Sequence, residues 1–179
     1  VAVYAVRQSK FNTGDTAAVF GCGPIGLLII DALRASGATE IYAVEVSPER
    51  QEIAKKLGAI IVDPAKVNSV EFIKERTNGG VNVSYEVTGV PAVLQQSLEA
   101  AEKDGELMVV SIWETEASIQ PNEVVIQERT IKGVIAYRDV FPKTLELMKQ
   151  GYFSKDLLVT KRIKLEDIVN EGFEALVKE

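Results

Sequence analysis

Gly21, Cys22, Gly23, Pro24, Ile25 and Gly26 form a G-x-G-x-x-G spacing, the sharpest chemical signal in the chain. Such a spacing alone is weak, because glycine also serves plain strand-to-helix turns. Here it follows a short apolar run and opens an apolar helical stretch, the context in which it cradles a dinucleotide pyrophosphate. Gly21 would permit the tight turn, Gly23 would let phosphates approach the backbone, and Gly26 would let helix and strand pack closely. The orphan N–H groups of a helix opening at Pro24 would face those phosphates. Glu45 stands about 20 residues beyond Gly26, at the end of the next strand candidate, where a carboxylate can accept both adenosine-ribose hydroxyls. The same carboxylate would oppose the 2′-phosphate of NADP, where like charges ~4 Å apart cost about 1–4 kcal/mol. The pattern therefore favours NAD. Arg50 is the opposing feature: it could meet a 2′-phosphate, pack on the adenine, or stay on a helix surface.

The composition narrows the chemistry further. The chain has 179 residues, no histidine and one cysteine. That removes a Cys/His zinc site, a Ser-His or Cys-His dyad and a disulfide framework. Cys22 reads as a buried filler of the glycine loop. Glu114 and Glu116 have nothing to support an acid/base pair and read as a solvated loop, and 161–166 reads as a solvated strand edge. No residue is assigned a catalytic or metal-binding role. A net charge of −6 disfavours nucleic acid and anionic membrane surfaces as partners. The uncharged apolar stretch 17–30 is broken by glycine and proline and falls short of the ~18 residues that span a bilayer. A soluble, cytoplasmic-type domain is the expectation.

Positioning these residues requires alternating strands and helices. Strand candidates occupy 16–20, 40–44, 59–62, 81–87, 106–111 and 130–136, as continuous apolar runs of the kind that parallel strands buried on both faces need. Helix candidates occupy 24–36, 48–57, 67–76, 91–101 and 140–150, several opening at proline, with Gly37, Gly58 and Gly151 where C-terminal caps belong. The implied fold is α/β: a Rossmann, doubly wound sheet of six parallel strands in the order 3-2-1-4-5-6, with helices on both faces. Residues 1–11 read as the tail of a helix. Residues 1–156 form the expected nucleotide-binding domain. The segment 157–179 reads as an appended strand, 157–163, and helix, 166–178.

Across its whole length the chain resembles the cofactor-binding half of the medium-chain, zinc-type alcohol dehydrogenases. The resemblance is carried by AVFGCGPIGLL at 18–28, Glu45, KKLGA at 55–59, GGVNVSYEVTG at 79–89, DGELMVVSIW at 104–113, ERTIKG at 128–133 and LVTKRIKLEDI at 158–168. The wording at 5–28 is most similar to 2,3-butanediol dehydrogenases, with sorbitol dehydrogenases close behind. The resemblance implies that Gly23, Pro24 and Ile25 hold the pyrophosphate, Glu45 and Val46 the ribose, and that Arg50 lies beside adenine. Val87, Thr88 and Gly89 would line the cleft. Ser111, Ile112, Ile135 and Ala136 would offer backbone groups to the nicotinamide, with bulky Trp113 and Tyr137 nearby. The family commonly has a small residue or cysteine at the position of Val87.

By the same resemblance, NAD is the cofactor, zinc belongs to a catalytic domain absent from this chain, and the substrate of the complete enzyme is a small alcohol or diol. The chain is expected to be a fragment that orients the cofactor for hydride transfer. Pairing through strand 130–136 would make it a homo-oligomer and cover an apolar sheet edge. An NAD-sensing regulatory module shares the glycine loop and the distal acid, but lacks a segment like 117–127. A methyltransferase has a different glycine spacing, and the Tyr-x-x-x-Lys of short-chain dehydrogenases is missing, because Tyr152 and Lys155 are three apart.

Overall fold

The computed structural model describes residues 1–178. Six strands, β1 (Thr16–Phe20), β2 (Glu40–Val44), β3 (Ile60–Val62), β4 (Val81–Glu86), β5 (Ala101–Val109) and β6 (Thr130–Gly133), form one sheet. Every pairing is parallel and the order is β3-β2-β1-β4-β5-β6. This is the expected doubly wound sheet, with β1 central. Ala17 and Val19 of β1 enter one core while Ala18 and Phe20 enter the other, which is why the run is apolar without alternation.

The first core is closed by α1 (Ala2–Gln8), α2 (Pro24–Ala35) and α3 (Pro48–Lys56), the second by α4 (Ser69–Arg76) and α5 (Pro91–Ala100). After α6 (Pro121–Val125) and β6, α7 (Phe141–Lys149) and α8 (Lys155–Leu158) return to the first face, where Leu147, Phe153, Leu157 and Leu158 pack. Asp31 inside α2 ties that return down: its buried Oδ2 accepts from Phe153 N at 2.6 Å, and its Oδ1 pairs with Arg34 at 3.0 Å. The chain continues through a 3₁₀ turn (Leu165–Asp167) and a π-helical stretch (Ile168–Phe173) into α9 (Glu174–Lys178). No helix among the described residues is long and apolar enough to cross a membrane.

Several local expectations are corrected. The helix expected from 67 begins at Ser69, because Asn68 caps it, accepting from Val70 N and Glu71 N at 3.1 and 3.3 Å. The strand expected over 130–136 ends at Gly133, and Ala136 adopts a left-handed φ of 51° that cannot extend a strand. The strand expected over 157–163 is absent: Leu157 and Leu158 turn helical to reach the first core, and Val159 and Ile163 are exposed. Residues 161–166 are solvated as expected, but on no strand edge. The helix expected over 166–178 is split among three helical types, and Glu179, the last residue of the appended segment, lies outside the described residues. Helix α6, which opens at Pro121, was not anticipated.

The strand expected at 106–111 begins earlier, at Ala101, with a register irregularity between Val81 and Val83. Asp104 takes a φ of 61° there, so local carbonyls need partners from elsewhere. Arg129 supplies them. Its Nη2 donates to Ala101 O at 2.5 Å and Glu99 O at 3.3 Å, its Nε donates to Glu102 O at 3.2 Å, and its Nη1 pairs with Glu123 at 2.6 Å. The Arg129 side chain is 2% exposed. Arg129→Ala leaves those carbonyls and part of the Glu123 charge without a partner, a loss of about 3 kcal/mol. Urea unfolding should show that loss as a lower midpoint at unchanged slope, and a midpoint within error of the parent would refute the role.

Candidate functional site

A parallel sheet opens all its strand C-termini on one edge, and a doubly wound sheet splits its connections between the two faces at a switch point. That point lies here between β1 and β4. Backbone bonds carry the sheet one residue beyond each strand: Gly21 N donates to Val44 O at 2.9 Å, Val87 N to Phe20 O at 3.0 Å and Val110 N to Glu86 O at 3.0 Å. The glycine loop, Glu45, the residues after Glu86, Ser111 and the Ile135 segment therefore share this edge.

The three glycines of the loop have different reasons to be glycine. A Cβ on Gly26 would lie 1.9 Å from Gly21 O, so α2 can start against the loop only without one. Gly21 has a φ of 94°, and a Cβ there would meet Thr88 Cγ2 at 2.6 Å. Gly23 differs: its φ is −63° and a Cβ would find nothing within 4 Å. No packing demands glycine at 23, and the space beside it is open. Gly23 is also the N-cap of α2, a 12-residue helix, and no side chain caps that end among the described residues.

Glu45 is 6% exposed and turned toward this loop. Its Oε2 accepts from Cys22 N at 2.7 Å, while Oε1 accepts from Val46 N at 2.8 Å and Ser47 N at 2.9 Å. The carbonyl of Glu45 accepts from Gln51 Nε2 at 2.7 Å, which anchors the same residue to α3. The carboxylate thus pins the glycine loop to the end of β2. Val46 is exposed, and so is Arg50, whose N–H is capped by Ser47 Oγ at 3.4 Å.

Across the switch point, β4 ends in a second buried carboxylate that sequence reasoning missed. Glu86 is fully buried; Oε1 accepts from Thr88 N at 2.7 Å, Thr88 Oγ1 at 2.6 Å and Gly89 N at 3.0 Å, and Oε2 accepts from the Ser111 hydroxyl. The signal available was a charged residue inside the apolar run Val83 to Val87, directly before Thr88 and Gly89. Val87 and Gly89 are half-buried, while Thr88 is exposed and its methyl flanks Gly21. Ile112 and Ile135 stand 79% and 72% exposed, and Ala136 and Tyr137 are exposed beside them. Trp113 is half-buried; Glu114 and Glu116 are solvated.

Among the described residues, no group of three or more His, Cys, Asp or Glu could hold a metal ion. With no histidine and a single buried cysteine, this donor set does not fit a tetrahedral zinc.

A family model described as zinc-binding dehydrogenase matches residues 24–150. The chain belongs to that family. Over its whole length it is 63% identical to (R,R)-butanediol dehydrogenase of Bacillus subtilis (strain 168), covering 52% of that protein. It is 34% identical, over 93% of its length, to sorbitol dehydrogenase of the same strain, covering 48% of it. A crystal structure of 2R,3R-butanediol dehydrogenase from Bacillus subtilis matches 100% of this chain and 52% of that one, with a TM-score of 0.97. The chain spans about half the length of these relatives, and the match bears out the zinc-type alcohol dehydrogenase resemblance read from its motifs.

Cys22 lies within the glycine loop of this family member, between Gly21 and Gly23, and is fully buried. Burial first, then the Glu45 charge, pushes its thiol up to about 12, partly offset by Arg50. A raised folded value favours the fold while the thiol stays protonated. That contribution is complete below the ordinary value of 9.0 and fades as the pH climbs through about 12. A thiol-disulfide reagent at pH 8 should label Cys22 only as fast as the chain unfolds; labelling at the rate of a free thiol would contradict the buried placement.

Proposed function

We propose that this chain binds a nicotinamide dinucleotide along the C-terminal edge of its sheet and, in the whole protein, forms the cofactor-holding half of a diol or polyol dehydrogenase. The observation that carries the reading is Gly23, a glycine that the fold does not need, set at an uncapped helix start. Pyrophosphate oxygens placed there would accept from the N–H groups at Gly23 and Ile25, with Pro24 shaping the turn. Glu45 and Val46 would border the adenosine ribose and Arg50 the adenine. Val87, Thr88, Gly89, Ser111, Ile112, Ile135 and Ala136 would border the nicotinamide. When bound, the nicotinamide takes or gives a hydride; these residues fix where its ring lies. Zinc ligation, where the whole protein has it, would come from residues other than these. The 63% identity to a protein named (R,R)-butanediol dehydrogenase supports a vicinal diol as substrate of the whole protein.

NAD is the proposed choice over NADP. A carboxylate offers about four acceptor sites, and three backbone N–H groups already use Glu45. One ribose hydrogen bond, and not two, is then the expected gain. Discrimination rests mainly on repulsion of a 2′-phosphate, about 2 kcal/mol or roughly 30-fold. Calorimetry on the 179-residue chain should show NADH binding tighter than NADPH by that order; equal or tighter NADPH binding would mean that Arg50 governs the choice. Gly23→Ala separates function from folding. Its Cβ enters open space, so the melting temperature should hold, while both dinucleotides should weaken at least tenfold. Gly23→Ala binding like the parent would remove the basis of the reading.

We also propose that two copies join along β6. This strand pairs only with β5 among the described residues, and Ile131 on it is 38% exposed. An unpaired parallel-sheet edge of this kind favours association. Light scattering at high concentration should report twice the chain mass, and Ile131→Lys should halve it; a monomer at all concentrations would exclude the pairing.

A further inference from the structure

Glu86 is an expensive residue to bury. A desolvated carboxylate costs several kcal/mol unless its lone pairs are answered, and among the described residues no lysine or arginine pairs with it. Its partners are neutral donors from two separate loops. Thr88 and Gly89, after β4, meet Oε1 at 2.6 to 3.0 Å, and Ser111, after β5, donates to Oε2. Thr88 Oγ1 in turn accepts from Val90 N at 3.1 Å, so the turn into α5 hangs on the same group. An apolar side chain here would fill the core at less cost but would leave both loops untethered.

The position of these loops gives the tether a purpose. Glu45 secures the adenosine side of the glycine loop, whereas Glu86 secures the two loops on the other side of the switch point. We infer that Glu86 is a positioning residue for the nicotinamide half of the dinucleotide. It holds the loop after β4 and the loop after β5 at a fixed separation, so that the ring enters a preformed slot. This inference rests on the dinucleotide reading above. It adds to that reading a division of labour between two buried carboxylates, one for each half of the cofactor.

The test compares NADH with ADP, which carries the adenosine and pyrophosphate but no nicotinamide. On the 179-residue chain, calorimetry would give both affinities and their ratio, with quenching of Trp113, the single tryptophan, as an optical check near the β5 loop. Glu86→Ala should weaken NADH about tenfold while ADP changes less than about threefold. Glu86→Gln should restore most of the ratio, because its amide oxygen can accept from Thr88 and Gly89 and its amide nitrogen can donate to a reversed Ser111 hydroxyl. A purely structural role would lower both ligands together and leave the ratio unmoved. Should Glu86→Ala fail to fold, Glu86→Asp carries the test: a carboxylate one methylene shorter cannot meet both loops, so the NADH-to-ADP ratio should fall severalfold, and a ratio equal to the parent's overturns the tether. A glutamine variant as poor as alanine, or equal affinity of the parent chain for NADH and ADP, overturns it as well. A parent chain that binds neither ligand brings down the dinucleotide reading itself, and this inference with it.

Discussion

The site depends first on one close approach, that of the second turn of the loop to its own beginning. Gly26 lies where a Cβ would stand 1.9 Å from Gly21 O. With hydrogen in place of that carbon, α2 can begin immediately after β1 and lie flat on the sheet. Leu27, Ile29, Ile30 and Leu33 of α2 then enter the first core, and α1 packs against the same helix. The start of α2 is thereby fixed beside the glycine loop. An ordinary side chain at 26 would push α2 outward and open the core beneath it. Helix-terminus electrostatics act only within about one turn, so this steric allowance governs the electrostatics too.

Around that start, two carboxylates perform related tasks on either side of the switch point. Both are buried, Glu86 as the last residue of β4 and Glu45 as the first after β2, and both accept from backbone N–H groups of the residues that follow. Backbone donors at a sheet edge have no next strand to satisfy them. A glutamate folded back on its own loop answers two or three at once and gives the loop one conformation. Glu45 reaches across to Cys22 N, and Glu86 reaches across to Ser111. The loops are thus ordered by charge-assisted bonds within the protein, and a ligand arriving there would meet a shape already set.

Much of this was legible in the sequence, for reasons that can be named. β1 and β2 are short, apolar and buried on both faces, so their runs could hardly be read otherwise, and Pro24, Pro48 and Pro91 open three helices where expected. The elements that escaped are those whose conformation is set by distant partners. The early start of β5 is held by Arg129, 28 residues beyond Ala101. Leu157 and Leu158 have strand-compatible composition, but both sheet edges lie elsewhere and the first core draws them into α8. Glu86 was missed because its partners at 88, 89 and 111 show no pattern around it. Glu45 was found by spacing, but its bonds to Cys22, Val46 and Ser47 were not foreseeable from spacing.

Those bonds bear on the cofactor choice proposed for this edge. If Glu45 only faced the ribose, its removal would simply relax discrimination between NAD and NADP. In this structure the same carboxylate answers the N–H of Cys22, and Cys22 lies between the two glycines that shape the turn. Removing the charge to admit a 2′-phosphate would leave three backbone donors without that partner, at about 1–3 kcal/mol for each that stays buried. The loop would loosen where the pyrophosphate common to both cofactors would sit. On the proposed dinucleotide reading, discrimination at the ribose and geometry at the phosphates would therefore be one property of Glu45. Any change of preference at this edge has to supply a new acceptor for Cys22 N along with a new partner for the phosphate.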